Sequence, residues 1–251
     1  MHEQSSFYSP FRVSMHNWLE SLFPRSCYGC DKPWAYLCFE CKKELFPHPE
    51  LCPFCHKESK NFKTCSSCRF EGSNFLDGLV VGFSYKTLLK KLILKLKFHH
   101  KSDIAGFLAE RGALLTQLNP DLTLAMQKDQ LFVSFVPSHR YRKYFQKGYN
   151  QSELLAKELA TQLEIPRVPC FKKIKATTSQ VKLTRSERLK NLNAAFVFLP
   201  SAISLLPQNA TLLIVDDVTT TWATLNELAK RAKSSRPDLY IRGLVLARHT
   251  G

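Results

Sequence analysis

Eight of the nine cysteines lie in residues 25–72 as four C-x2-C pairs: Cys27 and Cys30, Cys38 and Cys41, Cys52 and Cys55, Cys65 and Cys68. A C-x2-C turn curls the backbone so that two sulfurs face one ion, and two such turns complete a tetrahedron of thiolates. The segment spans about 45 residues with few large apolar side chains, so burial cannot hold it and a metal must supply folding free energy. Residues 27–68 therefore read as a double zinc ribbon with one or two structural Zn2+ ions. Sequential pairing is simpler than interleaved pairing and is preferred. Gly29 sits in the first turn, where a positive φ is easy. His48 and His56 are alternative ligands, but eight cysteines make ordinary surface histidines the better reading. Cys170 stands outside the pattern and reads as a small core residue. Four thiolates leave no open metal position, so the module is structural, or presents basic residues such as Lys42, Lys43, Lys57, Lys60, Lys63 and Arg69 to a partner.

Thiolate ligation of this kind belongs to a reducing compartment. Met1 to Pro10 is polar and leads into no apolar run with a cleavage site. No stretch approaches the roughly 20 apolar residues that cross a bilayer. The expected location is the cytoplasm, with peripheral attachment at the inner face of the membrane as the alternative. There are 36 Lys and Arg against 21 Asp and Glu, a net charge of +15. That surplus favours anionic partners: nucleic acid, phosphorylated small molecules or an acidic membrane face.

The 251 residues, 44% apolar, allow one ordinary domain beside the cysteine module. Three regions are expected: an amphipathic N-terminal segment (1–24), the double ribbon (25–72) and an α/β domain (73–251). Residues 75–85 read as a strand broken by Gly78 and Gly82. Residues 86–98 read as a helix with Leu88, Leu89, Leu92, Ile93 and Leu96 on one face. A second helix over 103–118 stops at Asn119-Pro120. Strands are expected at 131–136, 211–215 and 240–246, with helices at about 150–163 and 223–233. This alternation predicts a parallel sheet flanked by helices.

The strand at 211–215 runs into Asp216-Asp217-Val218-Thr219-Thr220-Thr221-Trp222-Ala223-Thr224. Open α/β sheets bind ligands at the carboxyl ends of their strands. Two carboxylates there can accept hydrogen bonds from a vicinal diol and hold hydrated Mg2+. A hydroxyl-rich turn entering a helix suits a phosphate. Diol and phosphate together describe a ribose 5-phosphate. The plainer reading is that Asp217 and the threonines cap a helix.

VDDVTTTWAT resembles the 5-phosphoribosyl-1-pyrophosphate (PRPP) motif of type I phosphoribosyltransferases, V-D-D-V-x-T-T-G-A-T. The double ribbon, LKKLILKLKFHH, VPSHRYRKYFQKGYNQSELLAKELA and TTSQVKLTRSERLKNLNAAF together resemble the competence protein F family (ComFC/GntX-like) from about residue 15 to 247. The resemblance implies a type I phosphoribosyltransferase-like α/β fold with an N-terminal zinc ribbon module. It implies that Asp216 and Asp217 hold the ribose hydroxyls as the catalytic pair. Thr219, Thr220, Thr221, Trp222, Ala223 and Thr224 would form the 5-phosphate loop. Val136, Pro137 and Ser138 would form the pyrophosphate loop. It further implies Mg2+ with PRPP or another ribose phosphate, a role in DNA uptake, and a DNA-uptake helicase or membrane-associated competence proteins as partners. Two positions depart from the pattern. Trp222 replaces the glycine that lets backbone approach phosphate, so its ring either closes the loop or tilts out. Lys147 replaces an arginine, keeping charge but losing bidentate geometry.

Residues 130–152 contain no Asp or Glu, and Arg140, Arg142, Lys143 and Lys147 are interleaved with Tyr141, Tyr144, Phe145 and Tyr149. Arg185 and Arg188 lie in a second basic stretch. Cations for phosphates and aromatics for bases are the ingredients of a single-stranded DNA groove, with Arg140, Arg142, Lys143, Lys147, Tyr149, Arg185 and Arg188 as its contacts. The first functional reading is a DNA-uptake protein that binds single-stranded DNA and PRPP. The alternative is an active Mg-dependent phosphoribosyltransferase with an unidentified acceptor.

Overall fold

The computed structural model describes residues 26–33, 35–98, 103–138, 149–175, 192, 194–219 and 222–248. The amphipathic segment at 11–24 lies outside them. The chain divides into two compact units, residues 1–44 and 45–251. Among the described residues no helix is long and apolar enough to cross a membrane.

In the first unit a turn closes on Cys27, whose N–H donates to the Lys32 carbonyl at 2.7 Å while the Asp31 N–H donates back to the Cys27 carbonyl at 2.8 Å. Helix α1 (Phe39–Lys43) starts directly after Cys38 and buries Cys41. The second unit repeats this plan. Cys52 N–H donates to Lys57 at 2.8 Å, His56 N–H donates to Cys52 at 3.1 Å, and α2 (Ser66–Phe70) follows Cys65 and buries Cys68. Left-handed backbone occurs at Asp31 (φ 60°) and His56 (φ 61°), one residue past the second cysteine of each turn.

The rest of the second unit is an α/β domain. Its strands are β1 (Gly78–Ser84), β2 (Leu131–Phe135), β5 (Thr211–Thr219) and β6 (Tyr240–Arg248), all parallel in the order β1-β6-β5-β2. Its helices are α3 (Thr87–Phe98), α4 (Asp103–Leu118), α5 (Pro120–Gln127), α6 (Gln151–Leu163), α7 (Pro200–Leu205) and α8 (Ala223–Ser235). A small antiparallel pair, β3 (Phe171–Lys173) with β4 (Phe196–Phe198), stands apart from the main sheet. Near-continuous apolar strands fit a sheet covered on both faces. Leu79, Val80 and Val81 of β1 and Leu212, Leu213 and Ile214 of β5 are all buried. The five apolar residues expected on α3 are buried as well. Burying each is worth roughly 1.5–3 kcal/mol relative to leaving it exposed.

Four expectations change. The β1 strand starts at Gly78 and passes unbroken through Gly82. A Cβ on Gly78 would sit 2.5 Å from the Phe62 carbonyl oxygen, so glycine lets the cysteine segment cross the strand end. Asn119-Pro120 ends one helix and begins the next: the Asn119 side chain accepts from the N–H groups of Asp121 and Leu122, and Pro120 takes a first-turn position that needs no donor. The β5 strand continues to Thr219, because β6 is equally long and pairs with it through Asp216↔Val245, Val218↔Ala247 and Thr219↔Arg248. The acidic pair therefore lies within the strand, and so does Thr219, which was expected in the turn. Finally, β3 and β4 were not anticipated, since three-residue strands are too short to carry a period.

The second cysteine segment runs along the β1 edge. Pro47 bridges to Phe83 at one end and Lys63 to Gly78 at the other. Buried Asn226 of α8 secures the connection into β1, accepting from the Phe75 N–H at 2.8 Å and donating to the Ser73 carbonyl at 2.8 Å.

Candidate functional site

The cysteines form two quartets, Cys27/Cys30/Cys38/Cys41 and Cys52/Cys55/Cys65/Cys68, with all sulfurs of each within 4.8 Å of one another. The sequential pairing is the one observed. A tetrahedral Zn–S length of about 2.3 Å places sulfurs about 3.8 Å apart. Cys30 and Cys38 sulfurs are 3.6 Å apart, and Cys55 and Cys65 sulfurs 3.7 Å. Donor set and spacing both fit structural zinc. Burial works to raise the Cys27 thiol pKa, but N–H groups of Cys38, Cys30 and Gly29 outweigh it and bring it to about 6. Cys52 reaches about 7 by the same opposition, with Cys55, Cys65 and Phe54 donating. Thiolates at these two positions are what a metal requires.

His56 is exposed, as expected, but His48 is buried, and its Nδ1 lies 2.7 Å from the Pro49 carbonyl oxygen. Neither belongs to a quartet. Cys170 is a core residue: it is fully buried, and burial pushes its thiol up to about 12.

At the carboxyl end of the sheet, Val136, Pro137 and Ser138 follow β2, and the Val136 N–H donates to the Val215 carbonyl at 3.0 Å. Asn150 caps α6 and ties that helix to the same loop, its Nδ2 donating to the Val136 carbonyl at 3.0 Å. Ser152, in the first turn of α6, donates its hydroxyl to Asp216 Oδ1 at 2.7 Å. Strand end, loop and helix start thus meet at Asp216. The Asp217 carboxylate accepts from the Val218 N–H at 2.6 Å and is buried. Consecutive strand residues alternate, so the two carboxylates leave β5 on different sides. Thr219, Trp222 and Ala223 are buried and Thr224 is half-buried. Thr220 and Thr221 lie outside the described residues.

The Trp222 ring packs on Phe54, between the cysteines of the second quartet's first turn, with centroids 4.7 Å apart at 60°. Its backbone is right-handed helical, φ −65° and ψ −1°, a conformation any residue adopts. Arg248, at the end of β6, reaches the same turn: Nη2 donates to the Pro53 carbonyl at 2.7 Å and contacts His56 Nε2. Burial lowers its pKa, and the Cys52 charge opposes that. The metal turn and the strand-end loop are therefore neighbours through Phe54, Trp222 and Arg248.

Of the residues expected to contact DNA, Arg140, Arg142, Lys143, Lys147, Arg185 and Arg188 lie outside the described residues. Tyr149 is half-buried, and its hydroxyl donates to the Leu96 carbonyl. Sequence reading missed Ser152, Phe54 and Arg248. Asn150 was legible as a helix cap ahead of an amphipathic run. Phe54 and Arg248 had no local signal, since each matters through a contact distant in sequence.

No family model matches the chain. Among curated proteins it is 31% identical over 213 residues to DNA utilization protein YhgH of Escherichia coli, covering 82% of this chain and 90% of that one. The same protein of Salmonella typhimurium is 30% identical over the same length and coverage. Competence protein F of Haemophilus influenzae is 30% identical over 210 residues, covering 78% of this chain and 90% of the relative. Identities of 30% and 31% over 78% and 82% of this chain make it a member of the competence protein F family.

Proposed function

We propose that this protein acts in the uptake and handling of DNA, binding single-stranded DNA, and that the crevice at the carboxyl ends of β2 and β5 binds PRPP with Mg2+ in a type I phosphoribosyltransferase-like domain. The observation that carries the reading is Asp216 in the carboxyl-terminal half of a parallel strand, oriented by Ser152 and flanked by the Val136 loop. Family membership adds the context of DNA handling, from the relatives' names. The net charge of +15 supplies the attraction for a polyanion.

In this reading Asp216, on the Ser152 side of β5, accepts from the ribose hydroxyls, and Asp217 on the other side completes the acidic pair. N–H groups and hydroxyls of residues 219–224, entering α8, take the 5-phosphate. Backbone N–H groups of residues 136–138 face the pyrophosphate. Asp216 and Asp217 would hold hydrated Mg2+ nearby, and the ion would supply charge neutralisation for the pyrophosphate. Basic side chains at 140–147 and 185–188 follow the DNA backbone while the interleaved aromatics stack on bases. A helicase or membrane-bound competence partner, and attachment at the cytoplasmic face of the membrane, belong to the same proposal. One observation favours the second reading, an active phosphoribosyltransferase: the Trp222 ring is committed to Phe54 and so leaves the phosphate loop.

Calorimetry with Mg2+-PRPP and anisotropy with a labelled single strand test the two parts separately. Asp216→Asn with Asp217→Asn should abolish PRPP binding. Arg142→Ala with Lys147→Ala should weaken DNA binding, and raised salt should weaken it by orders of magnitude. PRPP binding that survives the first change, or DNA binding that ignores salt, overturns the corresponding part.

A further inference from the structure

A cavity of about 470 Å³ opens at the amino ends of β2, β5 and β6, the opposite end of the sheet from Asp216. Its size suits a single small ligand. The second cysteine segment contributes Lys63 and Arg69, Lys128 follows α5, and Tyr240 and Arg242 come from the start of β6. This site goes beyond the function proposed above and shares no residue with it.

The charges in the cavity are not balanced. Its two carboxylates are already engaged. Asp77 pairs with Lys233 at 2.7 Å and accepts from the Ile241 N–H at 2.7 Å. Asp121 pairs with Lys63 at 2.8 Å and with Arg242. Among the described residues neither Arg69 nor Lys128 has a carboxylate in ion-pair range, and both are exposed. Burial lowers the pKa of Arg242, Asp121 and Asp77 oppose that, and Arg69 adds to it as a like charge. An anion in the cavity relieves that repulsion.

The remaining wall is not what a bare anion needs. Tyr240 is 55% exposed and Leu124 51% exposed, so an aromatic ring and an apolar side chain face the opening uncovered. Gln130 and Asn209 add amide groups that both donate and accept. Cations, an uncovered aromatic ring and amides together match a phosphate, a base plane and a base edge.

We propose that this cavity binds a nucleotide, with Arg69 and Lys128 on the phosphate and Tyr240 stacked on the base. The nucleotide is free or is one unit of a single strand, and the recognition chemistry is the same.

The test uses the full-length, zinc-loaded protein irradiated with bromodeoxyuridine monophosphate, or with a short oligodeoxynucleotide carrying bromodeoxyuridine. A cross-link mapped to Tyr240 by mass spectrometry is expected. The monophosphate alone giving it assigns a free nucleotide, and the oligonucleotide giving it assigns a strand. Arg69→Ala with Lys128→Ala should weaken binding of the cross-linking probe by about tenfold or more. Tyr240→Ala should weaken it by about fivefold or more. All three side chains are exposed, so the variants retain the fold. No cross-link at Tyr240 with either probe, unchanged binding in the double variant, or inorganic phosphate binding as tightly as the nucleotide overturns the proposal. Asp216→Asn should leave the Tyr240 cross-link intact, and the Arg69, Lys128 variant should leave PRPP binding intact, so the two sites fail independently.

Discussion

Cys27 and Cys52 open their quartets with the same turn, a left-handed residue after the second cysteine and a short helix that begins after the third cysteine and buries the fourth. They differ in the two residues between the cysteines. In the first quartet these are Tyr28 and Gly29, and Tyr28 stacks on Tyr36 within its own compact unit. In the second they are Pro53 and Phe54, and both touch the α/β domain, through Arg248 and Trp222. The cysteines set the local geometry and the metal. The residues they frame decide whether the turn closes on itself or becomes part of a larger core.

Removing one ligand from each quartet is the strongest way to break this comparison. Cys27→Ser and Cys52→Ser should each release one zinc ion, measured by metal analysis. Their effects on unfolding of the α/β domain should differ. Cys52→Ser loosens a segment that lines β1 and supports Trp222, and losing a structural metal site costs at least about 3 kcal/mol. For a unit of this size that is a fall of about 10 °C in Tm. Cys27→Ser should leave that transition within about 2 °C. Equal shifts in the two variants would mean that the division into units at residue 44 has no thermodynamic counterpart.

The Phe54–Trp222 contact sharpens the comparison at one point. Trp222→Ala removes a buried ring and should cost about 3–5 kcal/mol, measured by denaturant unfolding. Phe54→Ala should cost less, because Phe54 is half-buried. The double-mutant cycle should return a coupling of about 1 kcal/mol. Because the ring is turned onto Phe54, Trp222→Gly should weaken Mg2+-PRPP binding, by loosening the entry to α8. A gain in affinity would mean that the ring closes the loop after all.

Much of this was legible in sequence because it is local. The cysteine spacing gave the quartets, and the apolar runs at 131–136 and 211–215 gave two strands of the parallel sheet, β2 at its edge and β5 inside it. The extension of β5 to Thr219 was not legible, because hydroxyl and carboxylate residues read as turn unless a neighbouring strand is known to supply hydrogen bonds. The restart at Asn119-Pro120 carried both readings, a stop and a cap, and only tertiary packing of α5 chooses. The burial of His48 and the pairing of Trp222 with Phe54 lay beyond pattern altogether, each depending on a partner brought from a distant segment.

The smallest effect expected comes from His48, which is buried where His56 in the same segment is exposed. Burial holds its pKa below the ordinary 6.5; the Pro49 carbonyl opposes this, and the nearby Arg248 charge adds to it. Below pH 6.5 the unfolded chain binds a proton that the folded chain refuses. Stability from neutral His48 is thus complete above that pH and is lost as pH falls toward the folded pKa, at no more than about 1.4 kcal/mol per pH unit. His48→Asn keeps a side-chain donor near the Nδ1 position and removes the titration. Acid also protonates the zinc ligands, but it does so in both proteins, so the difference between their denaturant midpoints isolates His48. Wild type should lose more stability than His48→Asn on acidification through pH 6.5. Parallel curves would mean that His48 accepts its proton in the folded state as readily as an exposed histidine does.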